Sequence, residues 1–71
     1  MIDIKTNENE LYLAISPELV RKFEKLFLVE MLQGERWESD GLIHFKMTLS
    51  DKKIIGIKKW FFETFPKSDK N

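Results

Sequence analysis

Apolar and polar residues alternate from the start of the chain. Ile2, Ile4 and Thr6 flank Asp3 and Lys5 with the two-residue period of a half-buried strand. Asn7-Glu8-Asn9 follows as a turn, and Leu11, Leu13 and Ile15 alternate with Tyr12 and Ala14 as a second strand. The two strands read as a hairpin; a frayed amino terminus is the alternative. The period then changes. Leu19, Val20, Phe23, Leu26, Phe27 and Met31 recur at helical spacing, against Glu18, Arg21, Lys22, Glu24 and Lys25 on the other face. Ser16-Pro17-Glu18 is a capped helix start. Gly34 is a stop in the left-handed conformation. A helix from Pro17 to Gln33 is expected.

The second half of this helix is apolar all round, because Leu28, Val29 and Leu32 project on the side that was charged earlier. Such a face is covered by the rest of the chain or meets another chain. The third alternative is a strand over Leu26 to Leu32. Glu35 to Gly41 is a polar connection holding Trp37. Its Asp40-Gly41 turn can fold Arg36-Trp37-Glu38 back on Leu42-Ile43-His44. Leu42 to Leu49 alternates most cleanly of all: Ile43, Phe45, Met47 and Leu49 form one face, and Leu42, His44, Lys46 and Thr48 the other. Ser50-Asp51 caps a last helix, with Ile54, Ile57, Phe61 and Phe65 on its core face and Pro66 after its last turn.

The expected fold is therefore α+β. It is a single small domain over residues 1–66, of ββαβα order, with a short three-stranded antiparallel sheet and two helices packed on one face. The strand after the first helix is expected beside the first strand. Residues 67–71 form a polar C-terminal tail. No internal repeat or linker is evident. The expected core is Ile4, Leu13, Ile15, Leu19, Phe23, Leu26, Phe27, Ile43, Phe45, Met47, Ile54, Ile57, Phe61 and Phe65.

Composition narrows the chemistry. The 71 residues suffice for one domain with a marginal core. No cysteine is present and His44 is the sole histidine, so disulfides, thiolate metal sites and histidine-rich metal sites are excluded, and no cofactor is expected. Nine aromatic residues, six of them phenylalanine, compensate for the missing staples. The 12 basic and 12 acidic residues balance, so nothing steers the whole molecule toward polyanions. No leader or long apolar run is seen, and a cytoplasmic location is expected.

Enzyme signatures are lacking: there is no phosphate loop, no His-Glu-x-x-His and no nucleophile elbow. Ser16 and Ser50 are explained by capping, and His44 as a surface residue. The expected function is a small non-catalytic protein-binding accessory module, of the kind found in phages and mobile elements, with a homodimer as one form. Its candidate surface is Leu28, Val29, Leu32, Trp37, Ile55, Trp60 and Phe62. The alternative is a nucleic-acid binder that grips phosphates with Lys52, Lys53 and Lys59 and stacks a base on Trp60. Helical steps scatter those lysines and put Lys58 inside the apolar arc, where it either reaches out to water or pairs with Glu30.

Overall fold

The computed structural model describes residues 2–66; the tail expected over 67–71 lies outside the described residues. The element order is β1 (Asp3–Asn7), β2 (Glu10–Ile15), α1 (Pro17–Leu32), β3 (Glu35–Ser39), β4 (Leu42–Thr48) and α2 (Asp51–Thr64). The α+β class, the antiparallel sheet and the two helices on one face are as expected. The sheet has four strands rather than three, because the Asp40-Gly41 turn does close a hairpin that makes Glu35–Ser39 a strand of its own. Asp40 and Gly41 have φ of 57° and 77°, the doubly positive geometry that suits a two-residue hairpin.

The strand order is β1-β2-β4-β3, so β4 lies beside β2 and not beside β1 as expected. Burial explains the choice. Opposite residues are Leu11 and Met47, Leu13 and Phe45, and Ile15 and Ile43, and all six are buried. The two strands with full apolar faces take the centre, where both helices can cover them. The more polar β1 and β3 take the edges.

The helices close the core with Val20, Phe23 and Met31 from α1 and Ile54, Ile57 and Phe61 from α2. α1 lies on β4, its Phe23 ring 5.1 Å from that of Phe45. Half-buried Ile4 of β1 packs against the same core, whereas β3 is exposed along its whole length. The helices thus cover β1, β2 and β4 and leave the helix side of β3 bare.

Three local expectations are corrected. Ser16 and Ser50 hold the N-cap positions, but neither side chain makes a capping hydrogen bond. The helix starts rest on backbone bonds, from Leu19 N–H to the Ser16 carbonyl and from Ile54 N–H to the Ser50 carbonyl. Gly34 is not left-handed; the glycine with positive φ is Gly41. Gly34 is instead a point of close approach, where a Cβ would lie 2.2 Å from the Lys46 carbonyl oxygen and 2.8 Å from Met47 Cγ. Leu26, expected in the core, is 61% exposed.

A repeat not evident in the residue identities emerges in the fold. Each half of the chain is a hairpin followed by a helix, and the halves meet along β2 and β4. Thirty-four positions relate Ser16 to Ser50, Leu11 to Phe45, Leu13 to Met47, Val20 to Ile54 and Phe23 to Ile57. Apart from the two serines, every member of these pairs is buried.

Candidate functional site

The second half of α1 is the most apolar exposed surface. Leu26, Leu28, Val29 and Leu32 are 61%, 46%, 61% and 72% exposed, four large apolar residues within seven positions. Its geometry follows from a break in the helix. Phe27 leaves the helical region, with φ −133° and ψ 37°. Leu26 and Glu30, one turn apart and nominally on one flank, are split by this break. Leu26 turns outward, and Glu30 turns in to 6% exposure.

Buried Glu30 needs a partner, since an isolated carboxylate out of water is strongly disfavoured. Lys53 Nζ supplies it, donating to Glu30 Oε2 at 2.5 Å. This bond, with smaller contributions from a backbone hydrogen bond and then the lysine charge, holds the Glu30 carboxyl below its ordinary pKa of 4.5 against the opposing effect of burial. Of the two alternatives for Lys58, the pairing with Glu30 is not the one made. Lys53 stands on the flank of α2 that faces α1, whereas Lys58 is half-buried with no ion pair among the described residues.

After the break, two directions on α1 can be read from contacts. Glu30 faces α2 through Lys53, and Met31 faces the core. At about 100° per residue, Leu28 and Leu32 fall on the flank away from α2, and Val29 points away from the sheet. α1 lies on β4 and β3 follows it after only Gln33 and Gly34, so that flank is the one on the β3 side.

The other candidate residues are dispersed. Trp60, expected to project off the core, is half-buried, its ring 5.4 Å from Phe23, 6.2 Å from Phe27 and 6.5 Å from Phe65. It wedges the helices together. Ile55 is 65% exposed and Phe62 half-buried, and both lie about 200° around α2 from the residues that contact α1. They therefore do not extend the α1 surface. Of the proposed phosphate contacts, Lys52 and Lys59 are exposed, and Lys53 is engaged by Glu30.

Trp37 lies on the open face of the sheet in a cluster that the sequence reading missed. Its indole stacks on His44, with ring centres 5.3 Å apart and planes 7° from parallel. The Tyr12 hydroxyl is 2.6 Å from His44 Nδ1, and His44 Nε2 is 3.1 Å from the Ser39 carbonyl oxygen. A carbonyl only accepts, so Nε2 carries the hydrogen in the neutral ring. The Tyr12 hydroxyl then donates to Nδ1. Both ring nitrogens are occupied, and the cluster ties β2, β4 and β3 together. The signal was legible in principle: Tyr12, His44 and Trp37 all fall on the polar face of their strands. The two depressions beside this cluster, one lined by Tyr12 and Lys5 and the other by Gln33 and Glu35, hold about 230 Å³ each. That is below the ~300–1,000 Å³ usual for small-molecule sites.

No helix among the described residues is long and apolar enough to cross a membrane. No protein-family model matches the chain, and no match is found among curated proteins or solved structures.

Proposed function

We propose that this is a non-catalytic, protein-binding accessory module of the cytoplasm, whose partner docks on the C-terminal half of α1. One observation carries the reading: Leu26, Leu28, Val29 and Leu32 stay exposed on a fold whose core closes without them. Clustered apolar residues on a small protein mark interaction surfaces, and a helix presenting them is a recurrent docking element. The basic residues Arg21, Lys22 and Lys25 border the surface toward the helix N-terminus, which gives the patch a charged rim. The nucleic-acid alternative has less support, because Lys53 is taken by Glu30 and the Trp60 ring is packed between the helices.

The test compares proteins captured from the native host by the wild type and by a Val29→Glu variant, with circular dichroism checking that both are folded. Exposed apolar residues that serve no core role tolerate charge, so the variant keeps its fold and loses a specific partner. Capture of the same proteins by both forms would remove the reading.

A further inference from the structure

We propose that β3 is a self-association edge, along which two copies pair antiparallel about Trp37 to form one continuous eight-stranded sheet. β3 is an edge strand, bonded to β4 on one side and exposed at every residue. Its partners across β4 are Glu35 with Lys46, Trp37 with His44 and Ser39 with Leu42. The two-residue Asp40-Gly41 turn makes Ser39 and Leu42 a hydrogen-bonded pair, and such pairs recur at every second position. Ser39, Trp37 and Glu35 therefore spend their backbone groups on β4. Arg36 and Glu38 direct theirs outward, where a second strand can take them.

The charges then select one alignment. Antiparallel pairing must set outward residues opposite outward residues, which leaves three registers. One puts Arg36 opposite the same arginine of the second copy, and another does so for Glu38. Each of these places like charges together in a sheet. The third centres on Trp37. It sets Arg36 of each copy against Glu38 of the other, forms two complete hydrogen-bonded pairs, and brings the two indoles side by side on the open face. Neither Arg36 nor Glu38 has an ion-pair partner within its own chain among the described residues; Arg36 lies 5.7 Å over the Phe45 ring. At the opposite edge, β1 matches its own charges, with Lys5 3.6 Å from Asp3.

The surface above β3 fits the same occupant. Its helix side is bare, and the α1 flank bearing Leu28 and Leu32 is the one on its side, so a second copy would bring apolar side chains together beside the joined strands. Val29, which points away from the sheet, stays free. This contact and the docking of another protein on α1 can thus fail separately.

Sedimentation equilibrium of the full chain over micromolar to millimolar concentration tests the proposal. The wild type is expected to dimerise. Glu38→Arg is expected to raise the dimer dissociation constant about 30-fold, since two attractive cross-strand pairs become repulsive. Arg36→Glu combined with Glu38→Arg restores complementary pairs and returns the constant to within about threefold of wild type. Circular dichroism confirms folding in each case. A wild type that stays monomeric at millimolar concentration overturns the proposal, and so does a dimer indifferent to Glu38→Arg. Loss of association without rescue by the double exchange overturns the register. A dimer broken by Val29→Glu but not by Glu38→Arg shows that the copies meet through the top of α1 instead.

Discussion

Gly34→Ala isolates one claim about how the fold closes. The added Cβ would meet the Lys46 carbonyl oxygen at 2.2 Å, where ordinary contact begins near 3.4 Å, and Met47 Cγ at 2.8 Å. The overlap with the oxygen is therefore about 1.2 Å. It cannot be relieved by a side-chain rotation, because the atom struck belongs to the backbone of β4, which is bonded on both sides in the middle of the sheet. Forcing atoms into a packed site costs about 1–3 kcal/mol, and a backbone clash belongs at the upper end. Since Gly34 has no positive φ, alanine returns about 0.4–1 kcal/mol by restricting the unfolded chain. The net loss is about 2–3 kcal/mol, which lowers the melting temperature of a domain this size by roughly 10–20 °C. Gly56→Ala is the matched control. Nothing lies within 4 Å of its Cβ position, and it sits inside α2, so helix propensity alone should stabilise by about 1 kcal/mol. Thermal melts of the two variants at one pH decide the matter. A Gly34→Ala melting temperature at or above wild type would refute the close approach. Gly34→Asn discriminates further: a left-handed cap would tolerate asparagine, whereas the clash predicts a loss at least as large as for alanine.

Other expected outcomes concern the interior and the open face. Lys53→Met leaves the Glu30 carboxylate buried without its partner and should cost about 1–2 kcal/mol, less than for a fully buried pair because Lys53 is 54% exposed; Glu30→Met should stay within about 1 kcal/mol of wild type or exceed it. Because the folded-state pKa of Glu30 is lowered, the pair contributes above pH 4.5 and its contribution is lost as pH falls below that value. The gap between wild type and Lys53→Met in denaturant melts should therefore narrow on acidification. Phe61→Ala should cost about 3–5 kcal/mol and leave the chain largely unfolded by circular dichroism; an unchanged melting temperature would contradict the core. Tyr12→Phe removes the donor to His44 Nδ1 and should cost about 1 kcal/mol, seen as a melting temperature lower by roughly 4–8 °C.

The periodic segments were legible because each has one buried face. Leu11, Leu13 and Ile15 at a spacing of two, and Ile54, Ile57 and Phe61 at helical spacing, name both their element and its inner side. What escaped was set by long-range contact. β3 reads as polar loop because an edge strand not covered by a helix needs no apolar face, and only its Asp40-Gly41 turn announced it. Leu26 was misplaced because a regular helix was assumed through Phe27. The interruption of the apolar pattern at Glu30 was the available warning, since an acid at a core position demands either a cation or a change of phase, and this chain uses both. The apolar surplus at Leu28, Val29 and Leu32 was visible for the opposite reason: no helical wheel could bury all of it at once. The Tyr12, His44 and Trp37 cluster was only half legible: each residue falls on the polar face of its strand, but the cluster draws one residue from each of three strands, and their order in the sheet cannot be read from local pattern.

The near two-fold arrangement separates what the fold needs from what it does not. Val20, Phe23 and their counterparts Ile54 and Ile57 are buried alike, as expected if a core position has the same duty in both halves. Where the halves differ, the difference has to be explained by something else. Leu26 corresponds to Trp60, which is half-buried against α1, and Leu28 to the half-buried Phe62. Val29 corresponds to Glu63, an exposed acid. A charged residue is therefore compatible with this position in the architecture, yet the first half carries an exposed valine there, beside three exposed leucines. Stability does not require that choice, because valine gains nothing over glutamate while it faces water. The gain arises when the surface is covered. On this ground Val29, rather than the better buried Leu28, is the residue whose replacement by glutamate should separate binding from folding most cleanly.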